Sequence, residues 1–174
     1  NKLIESIKNG TNRTTEIIKG LRTFSRLDED ILKMADIHEG IDSTLILLHN
    51  KYKNRIKIVK DYVDLPLIEC YPGQLNQVFM NLLSNAIDAI DEDGIITIST
   101  SIFRGNIKIS IKDTGHGIPE KLKEKIFDPF FTTKGVGKGT GLGLSISQSI
   151  IEKHKGTISF KSEQEKGTIF IITL

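Results

Sequence analysis

DTGHGIPEKLKEKIFDPFFTTKGVGKGTGLGL, residues 113–144, is the most informative stretch of the chain. It begins with a carboxylate in a glycine-rich turn and ends with five glycines at alternating positions, from Gly135 to Gly143. Ordering so many glycines costs much chain entropy, and glycine lets a backbone approach a ligand closely. Residues 142–154 have a helical pattern, so the last glycines are expected at a helix N-terminus. Free amides and the helix dipole favour phosphate there.

The glycine run does not match the two best-known phosphate-binding fingerprints. Neither G-x-G-x-x-G nor G-x-x-x-x-G-K-[ST] occurs in the chain, which excludes the dinucleotide and P-loop motifs. Taken alone, the run is equally compatible with a flexible, solvated loop. The rest of the chain has to decide between these alternatives.

The composition indicates one ordinary domain with a short additional segment. The 174 residues are enough for a real hydrophobic core. A net charge of +2, with the basic excess in residues 1–26, argues against nucleic acid as a partner. The single cysteine, Cys70, excludes an internal disulfide or a Cys-based metal cluster and is compatible with a reducing compartment.

The sequence shows neither a membrane span nor a signal peptide. We therefore expect a cytoplasmic location, and the sequence leaves open whether a full-length protein is anchored to a membrane. The chain begins with Asn1, within a helical pattern, so we expect it to be a piece of a longer protein.

Residues 1–26 are predicted to form one long amphipathic helix. Its apolar stripe follows an alternating spacing of three and four residues, through Ile4, Ile7, Thr11, Thr14, Ile18, Leu21 and Ser25. A helix with such a face needs partner helices, in another segment or another subunit. The alternative is a helix that docks on its own domain. Residues 29–35 are charged and weakly periodic, which predicts a hinge.

The remaining chain alternates between helical and strand patterns. Helices are predicted at residues 37–48, 74–90 and 142–154, and strands at 56–63, 95–102, 107–111, 156–161 and 168–174. This order predicts an α+β fold with antiparallel hairpins. The helices should form one layer on one face of a mixed, mostly antiparallel sheet.

The helix predicted at residues 74–90 carries an unusual polar face. Amides and one carboxylate follow each other at helical spacing, namely Gln74, Gln77, Asn81, Asn85 and Asp88. Asparagine is a poor helix former, so two in mid-helix require a reason. A solvated face usually carries Lys, Glu or Arg, and this one carries none. We favour a ligand-binding face over a solvated one.

Four motifs in sequence order point to one family. They are NQVFMNLLSNAIDAI at 76–90, DTGHGIP at 113–119, IFDPFFTTK at 126–134 and GKGTGLGLSIS at 137–147, similar to an N box, a first glycine box, an F box and a second glycine box. With them, residues 36–174 resemble the ATP-binding catalytic domain of sensor histidine kinases, in the gyrase, Hsp90, histidine kinase and MutL superfamily. The resemblance implies a two-layer, Bergerat-type sandwich with a lid at about residues 114–140. Residues 1–28 resemble the second helix of the dimerisation and phosphoacceptor hairpin.

The resemblance implies roles for residues at the metal and base ends of the site. Asn85 would bind Mg²⁺ through its amide oxygen. Asn81 stands where ATP-hydrolysing relatives have a Glu that activates water, and an amide cannot act as that base. Asp113 would accept a hydrogen bond from the adenine amino group. Thr168 would complete the adenine end, and the other base contacts would come from Gly115, Gly117 and Ile118.

The resemblance also implies a phosphate-binding end and a lid anchor. Lys134 would hold the triphosphate, which makes it a catalytic candidate together with Asn81, and Lys138 is a weaker candidate. The second glycine box would contribute Gly139, Thr140, Gly141, Leu142 and Gly143. The aromatic side chains of the F box are expected to anchor the lid, namely Phe127, Phe130 and Phe131. For Asp88, the resemblance does not decide between a role that supports the site and a position on a solvated helix face.

The function implied is transfer of the γ-phosphoryl group of ATP to a histidine upstream of this chain, for relay to a response regulator aspartate. The implied cofactors are ATP and Mg²⁺. The implied partners are the chain's own hairpin, a receiver domain and a second copy in a homodimer. Residues 1–26 contain no histidine, and His38-Glu39 only mimics the start of a phosphoacceptor motif. The alternatives are an ATP-driven switch of the gyrase or Hsp90 kind and a scaffold that binds no nucleotide.

Overall fold

The computed structural model of the chain describes residues 31–134 and 140–174. The helix predicted at residues 1–26, the first part of the predicted hinge, Lys138 and Gly139 lie outside the described residues. Three helices, one 3-10 helix and seven strands occur in the described ranges. In chain order they are β1 Lys33–Ala35, α1 Ile37–Tyr52, β2 Ile56–Asp61, β3 Ile68–Cys70, α2 Pro72–Asp88, β4 Gly94–Phe103, β5 Asn106–Asp113, the 3-10 helix Glu120–Lys125, α3 Gly143–Lys153, β6 Thr157–Glu163 and β7 Gly167–Thr173.

Five strands form the main sheet, in the order β2-β4-β5-β7-β6. β2 and β4 are parallel, with Ile58 opposite Ile96, and every other neighbouring pair is antiparallel. The predicted α+β fold with a mixed, mostly antiparallel sheet is therefore confirmed. Among the described helices, none is long and apolar enough to cross a membrane.

The core lies between the helices and one face of the sheet. Alternate strand residues point into it, because successive strand side chains face opposite sides. The buried apolar residues of the main sheet are Ile56, Ile96, Ile98, Ile107, Ile109, Ile111, Phe170 and Ile172. α2 is the central helix: Pro72 occupies its first turn, and Val78, Phe79 and Leu82 are completely buried. Each such side chain contributes about 1.5–3 kcal/mol by leaving water.

A second, two-stranded sheet departs from the predictions. β1 pairs antiparallel with β3, so that Met34 lies opposite Glu69. Residues 33–35 therefore form a strand, although they fall in the predicted hinge, and β3 was not predicted at all. Both strands contain three residues, which is too short for an alternating pattern to be recognised.

Candidate functional site

Asp113 is the last residue of β5 and faces the helix layer, like Ile111 two residues earlier. Its side chain is 2% exposed. The backbone N–H groups of Gly115 and Thr168 both donate to Oδ1, at 2.8 and 3.2 Å. Burial raises the pKa of Asp113, and these two amides oppose the increase. Because both backbone donors use Oδ1, Oδ2 is left to accept an N–H group from a ligand.

The first glycine box is a turn pressed between two parts of the fold. A Cβ on Gly115 would overlap the carbonyl oxygen of Ala89, at the end of α2. Gly117 has a φ of +69°, and a Cβ there would overlap the carbonyl of Glu163. His116 adds a backbone hydrogen bond to Ala89 at 3.0 Å. The resemblance gave close approach to a purine as the reason for these glycines, and the structure adds contact with protein backbone as an independent reason.

A hydroxyl pair supports the same end of the site. Ser162 on β6 lies directly opposite Thr168 on β7, and their side-chain oxygens are 2.8 Å apart. The backbone N–H of Ile118 donates to Ser162 at 2.8 Å. Sequence reasoning missed Ser162. The available signal was its position, because it follows Ile158 and Phe160 at the same alternation on β6.

Asn81 joins α2 to α3. Its Nδ2 donates to the carbonyl oxygen of Gly143 at 3.0 Å and to Ser147 Oγ at 3.2 Å. The polar face of α2 is thus divided among three surroundings. Gln74 and Gln77 line a groove of about 440 Å³ beside α3, Asn81 contacts α3 itself, and the end of the helix faces a lysine.

That lysine is Lys134, the last residue of the F box. Its ammonium group lies 3.2 Å from Asn85 Oδ1 and 2.6 Å from Asp88 Oδ2. The predicted metal ligand and the predicted phosphate ligand are therefore brought together. Asp88, which the sequence left undecided, is the residue that pairs with Lys134. Only the position of Asp88, one turn after Asn85 and two turns after Asn81, could have suggested it.

The oxygen atoms at this end suit a hard cation. An ammonium group already lies against Asn85 Oδ1, so that oxygen accepts positive charge. Mg²⁺ prefers oxygen ligands and usually takes one or two from the protein, the rest coming from phosphates and water. No group of three or more His, Cys, Asp or Glu side chains suited to a metal occurs in the described ranges. The donor set fits Mg²⁺ held jointly with a phosphate ligand.

The described part of the second glycine box leads into α3. Gly141 has a φ of +67°, and a Cβ there would overlap the backbone of Phe130. Gly143 is the first residue of α3, and its neighbour Leu142 provides no side-chain cap. Leu142 therefore leaves the first-turn amides of α3 without a side-chain cap from the N-cap position, and uncapped amides at a helix N-terminus bind anions. Thr140 lies two residues before Leu142, and its Oγ1 accepts a hydrogen bond from the backbone N–H of Leu142.

The F-box aromatics differ from one another. Phe127 and Phe131 pack against the core, and the ring of Phe127 is 6.0 Å from that of Phe160. Phe130 is 75% exposed and has a φ of +66°. The expectation that all three phenylalanines anchor the lid is therefore wrong for Phe130, because its ring is exposed and only its backbone approaches Gly141 closely.

His38, the first residue of the motif that mimics a phosphoacceptor, has a place in the fold. Its ring stacks on Tyr62 with centroids 4.1 Å apart, and Nε2 lies 3.0 Å from Thr100 Oγ1. Its role is to attach α1 to the strands beside it, which agrees with a coincidental motif.

Comparison with known sequences gives consistent matches. A family model described as Histidine kinase-, DNA gyrase B-, and HSP90-like ATPase matches residues 70–174. Sporulation kinase E of Bacillus subtilis (strain 168) is 46% identical over 112 residues, which cover 64% of this chain and 15% of that protein. Sensor histidine kinase ZraS of Escherichia coli (strain K12) is 34% identical over 175 residues, which cover 99% of this chain and 37% of ZraS. The chain thus spans well under half the length of these curated relatives.

Comparison with solved structures supports the same fold. The nucleotide-free catalytic domain of histidine kinase ThkA superposes with a TM-score of 0.74 and 35% identity, covering 83% of this chain and 95% of that one. ThkA in complex with response regulator protein TrrA gives a TM-score of 0.70 and 33% identity, covering all of this chain and 50% of that one.

Proposed function

We propose a function that follows from one premise: this chain belongs to the family of histidine kinase-, DNA gyrase B- and HSP90-like ATPases. It binds Mg·ATP, and within a longer protein it transfers the γ-phosphoryl group to a histidine of a phosphoacceptor hairpin. Relay to a response regulator aspartate follows. The observation that carries the proposal is the buried Asp113, whose Oδ1 is fixed by two backbone amides while Oδ2 can accept from an adenine amino group.

Two ends of the site have separate tasks in this proposal. Asp113, Thr168 and the turn around Gly115 and Gly117 select and orient the base, with Ile118 packed beside it. Lys134 binds the triphosphate together with the backbone amides that lead into α3, at Gly141, Leu142 and Gly143. The predicted contributions of Thr140 and Gly139 belong to the same end, and Gly139 lies outside the described residues.

The metal belongs at Asn85. When bound, Mg²⁺ supplies neutralisation of phosphate charge, which together with positioning is most of catalysis in phosphoryl transfer. Lys134 now lies against Asn85 and Asp88. Its ammonium group therefore moves toward the triphosphate when nucleotide and metal bind, and Asp88 remains beside the metal end.

Asn81 favours transfer over hydrolysis. Its Nδ2 is committed to Gly143 and Ser147, and an amide has no basic group that could deprotonate water. Water at this position is thus not activated, and the γ-phosphoryl group waits for an acceptor that docks. The partners proposed are the chain's own hairpin, a receiver domain and a second copy in a homodimer. The complex of ThkA with response regulator protein TrrA supports the receiver domain.

The second candidate is an ATP-driven conformational switch of the gyrase or Hsp90 kind, since the same family model covers those ATPases. Asn81 argues against it for the reason just given. Appreciable steady-state ATP hydrolysis by the isolated chain would favour the switch over the kinase.

Titration calorimetry with a non-hydrolysable ATP analogue tests the proposal. The chain is expected to bind the analogue more tightly with Mg²⁺ than without it. Asp113→Asn is expected to weaken binding by about a hundredfold, because a charged hydrogen bond is lost and an amide N–H can face the adenine amino group. Asp91→Asn, an exposed carboxylate in the turn before β4, is the matched control. Failure of the unmutated chain to bind the analogue would overturn the proposal.

A further inference from the structure

Ser162 lies at the base end of the site, and neither the sequence motifs nor the proposed function gives it a role. It lies on the helix-facing side of β6, directly opposite Thr168 in the register of β6 and β7. Thr168 is buried, and its backbone N–H donates to Asp113 Oδ1 at 3.2 Å. Ser162 is therefore one side chain away from the residues proposed to contact the base.

The hydrogen bonds of Ser162 allow two proton arrangements. Its Oγ accepts the N–H of Ile118, and its own proton can go to the carbonyl of Gly167 at 3.1 Å or to Thr168 Oγ1 at 2.8 Å. If Ser162 donates to Thr168, the Thr168 proton is free to reach a ligand. If Ser162 donates to Gly167, Thr168 must donate to Ser162 and offers a ligand only lone pairs.

The two arrangements suit different bases. Adenine presents an amino donor next to a ring nitrogen that accepts, whereas guanine presents a carbonyl oxygen next to a ring N–H that donates. Asp113 Oδ2 supplies the acceptor that the adenine amino group needs. A Thr168 hydroxyl that donates would complete the match to adenine and would oppose the ring N–H of guanine.

We infer that Ser162 is a positioning residue that sets base specificity: its hydroxyl donates to Thr168 Oγ1 and so makes the Thr168 hydroxyl a donor toward the base. The inference rests on the proposed nucleotide site and adds a residue that does not touch the base. The Ile118 N–H holds one lone pair of Ser162 Oγ. That contact restricts the rotation of the Ser162 hydroxyl.

The test compares two affinities in one variant. The dissociation constants of the imidotriphosphate analogues of ATP and GTP are measured for the unmutated chain and for Ser162→Ala. The ratio of the GTP to the ATP value is expected to fall about tenfold in the variant, which corresponds to about 1.4 kcal/mol and to the loss of one matched hydrogen bond. A merely structural role would weaken both analogues equally, and an unchanged ratio would overturn the inference.

Three further variants separate the explanations. Ser159→Ala removes a hydroxyl from the exposed face of the same strand and must leave the ratio unchanged. Ser162→Thr keeps the hydroxyl and is expected to retain at least half of the preference. Thr168→Val removes the proposed donor without changing Ser162. It must lower the ratio by itself, and adding Ser162→Ala must then change the ratio no further.

The outcomes distinguish this inference from the proposed function. If the unmutated chain binds neither analogue, the proposed nucleotide site fails and the inference fails with it. If the chain prefers the ATP analogue but Ser162→Ala and Thr168→Val keep that preference, only the inference is overturned. Thermal unfolding of each variant shows whether it is folded, and Thr168→Val gives the answer if Ser162→Ala does not fold.

Discussion

The base end and the phosphate end of the site are built in different ways. At the base end a buried carboxylate, two backbone amides and a hydroxyl pair occupy strand ends and are fixed before any ligand arrives. At the phosphate end Lys134 is paired with Asp88 and Asn85 through side chains that are about one-third exposed. Recognition of the base is thus preorganised, whereas binding of the phosphates requires contacts to be exchanged. This arrangement suits the proposed phosphoryl transfer, because a kinase must hold its nucleotide firmly and release the γ-phosphate.

Glycine substitutions should show the largest difference between the two ends. Gly115→Ala places a Cβ on the backbone of Ala89 and is expected to lower the free energy of unfolding by about 2–4 kcal/mol and to abolish nucleotide binding. Gly143→Ala places a Cβ 3.4 Å from Asn81 Cγ, an ordinary contact, in the first turn of a helix. The free energy of unfolding of the Gly143→Ala variant is expected to be unchanged or higher by up to about 1 kcal/mol. Urea unfolding measures the stability of both variants. Equal destabilisation by the two substitutions would contradict the expected difference between the two ends of the site.

The pH dependence of binding tests the buried carboxylate. Because the folded pKa of Asp113 is raised by burial, its carboxyl group becomes protonated at a higher pH than an ordinary aspartate. Since two amides hold Oδ1, the proton goes to Oδ2, which must accept from the base. Nucleotide affinity should therefore fall about tenfold per pH unit below the folded pKa. Calorimetric titrations at pH values from about 4 to about 8 should show this decrease in affinity only when Asp113 is present.

The stability of the free chain should depend on Asp113 with the opposite sign. A carboxyl group with a raised folded pKa binds its proton more tightly in the folded state than in the unfolded state. Its contribution to stability is therefore present at low pH and is lost as the pH rises from the ordinary aspartate value through the folded pKa. Asp113→Asn should flatten this part of the stability profile. If the Asp113→Asn variant had the same dependence of stability on pH as the unmutated chain, this would contradict a raised pKa of Asp113.

Removing Lys134 should weaken the phosphate end alone. Lys134→Met is expected to reduce affinity for the ATP analogue about tenfold, because a charge-assisted contact with phosphate contributes about 1.5 kcal/mol. Affinity for adenosine should not change, and neither should the melting temperature, since a surface ion pair contributes about 0–1 kcal/mol. Lys123→Met, in the exposed pair with Glu120, is the matched control. Equal loss of adenosine binding would contradict a separation between the two ends.

The smallest effect is expected at Asp88. Asp88→Asn removes the ion pair with Lys134, so Lys134 no longer has to leave a carboxylate when it binds phosphate. Affinity for the ATP analogue without Mg²⁺ should rise about twofold to fivefold, which matches the energy of an exposed ion pair. The increase should disappear in a Lys134→Met background. Weaker binding without Mg²⁺ would show that Asp88 does not restrain Lys134.

The sequence predicted the elements that have a long pattern. The helix with the polar face, the alternating strands and the carboxylate at the end of β5 were recognisable because period and motif order are local properties. The contacts within the site were less accessible. Lys134 and Asp88 are 46 positions apart and pair only when the F box folds back on α2. Ser162 meets Thr168 only through the register of two strands.

The predictions that were wrong failed for the same reason, because a local sequence pattern does not contain long-range contacts. Phe130 belongs to an aromatic run that predicts burial, but the residue has a positive φ and its ring is exposed to solvent. The three-residue strands β1 and β3 carry no detectable alternation, and only their pairing defines them. The polar face of α2 was correctly recognised as unusual, yet its members have different surroundings because α3 covers the middle of the helix.

The hydrogen bond from Thr168 to Asp113 has a consequence for biosynthesis. The two residues are 55 positions apart, and such long-range contacts form late in folding because a large loop must close first. A nascent chain acquires β5 and its carboxylate well before β7 leaves the ribosome. During that interval Asp113 lacks one of its two amide donors, so the base end of the proposed site is incomplete until β7 has joined the sheet.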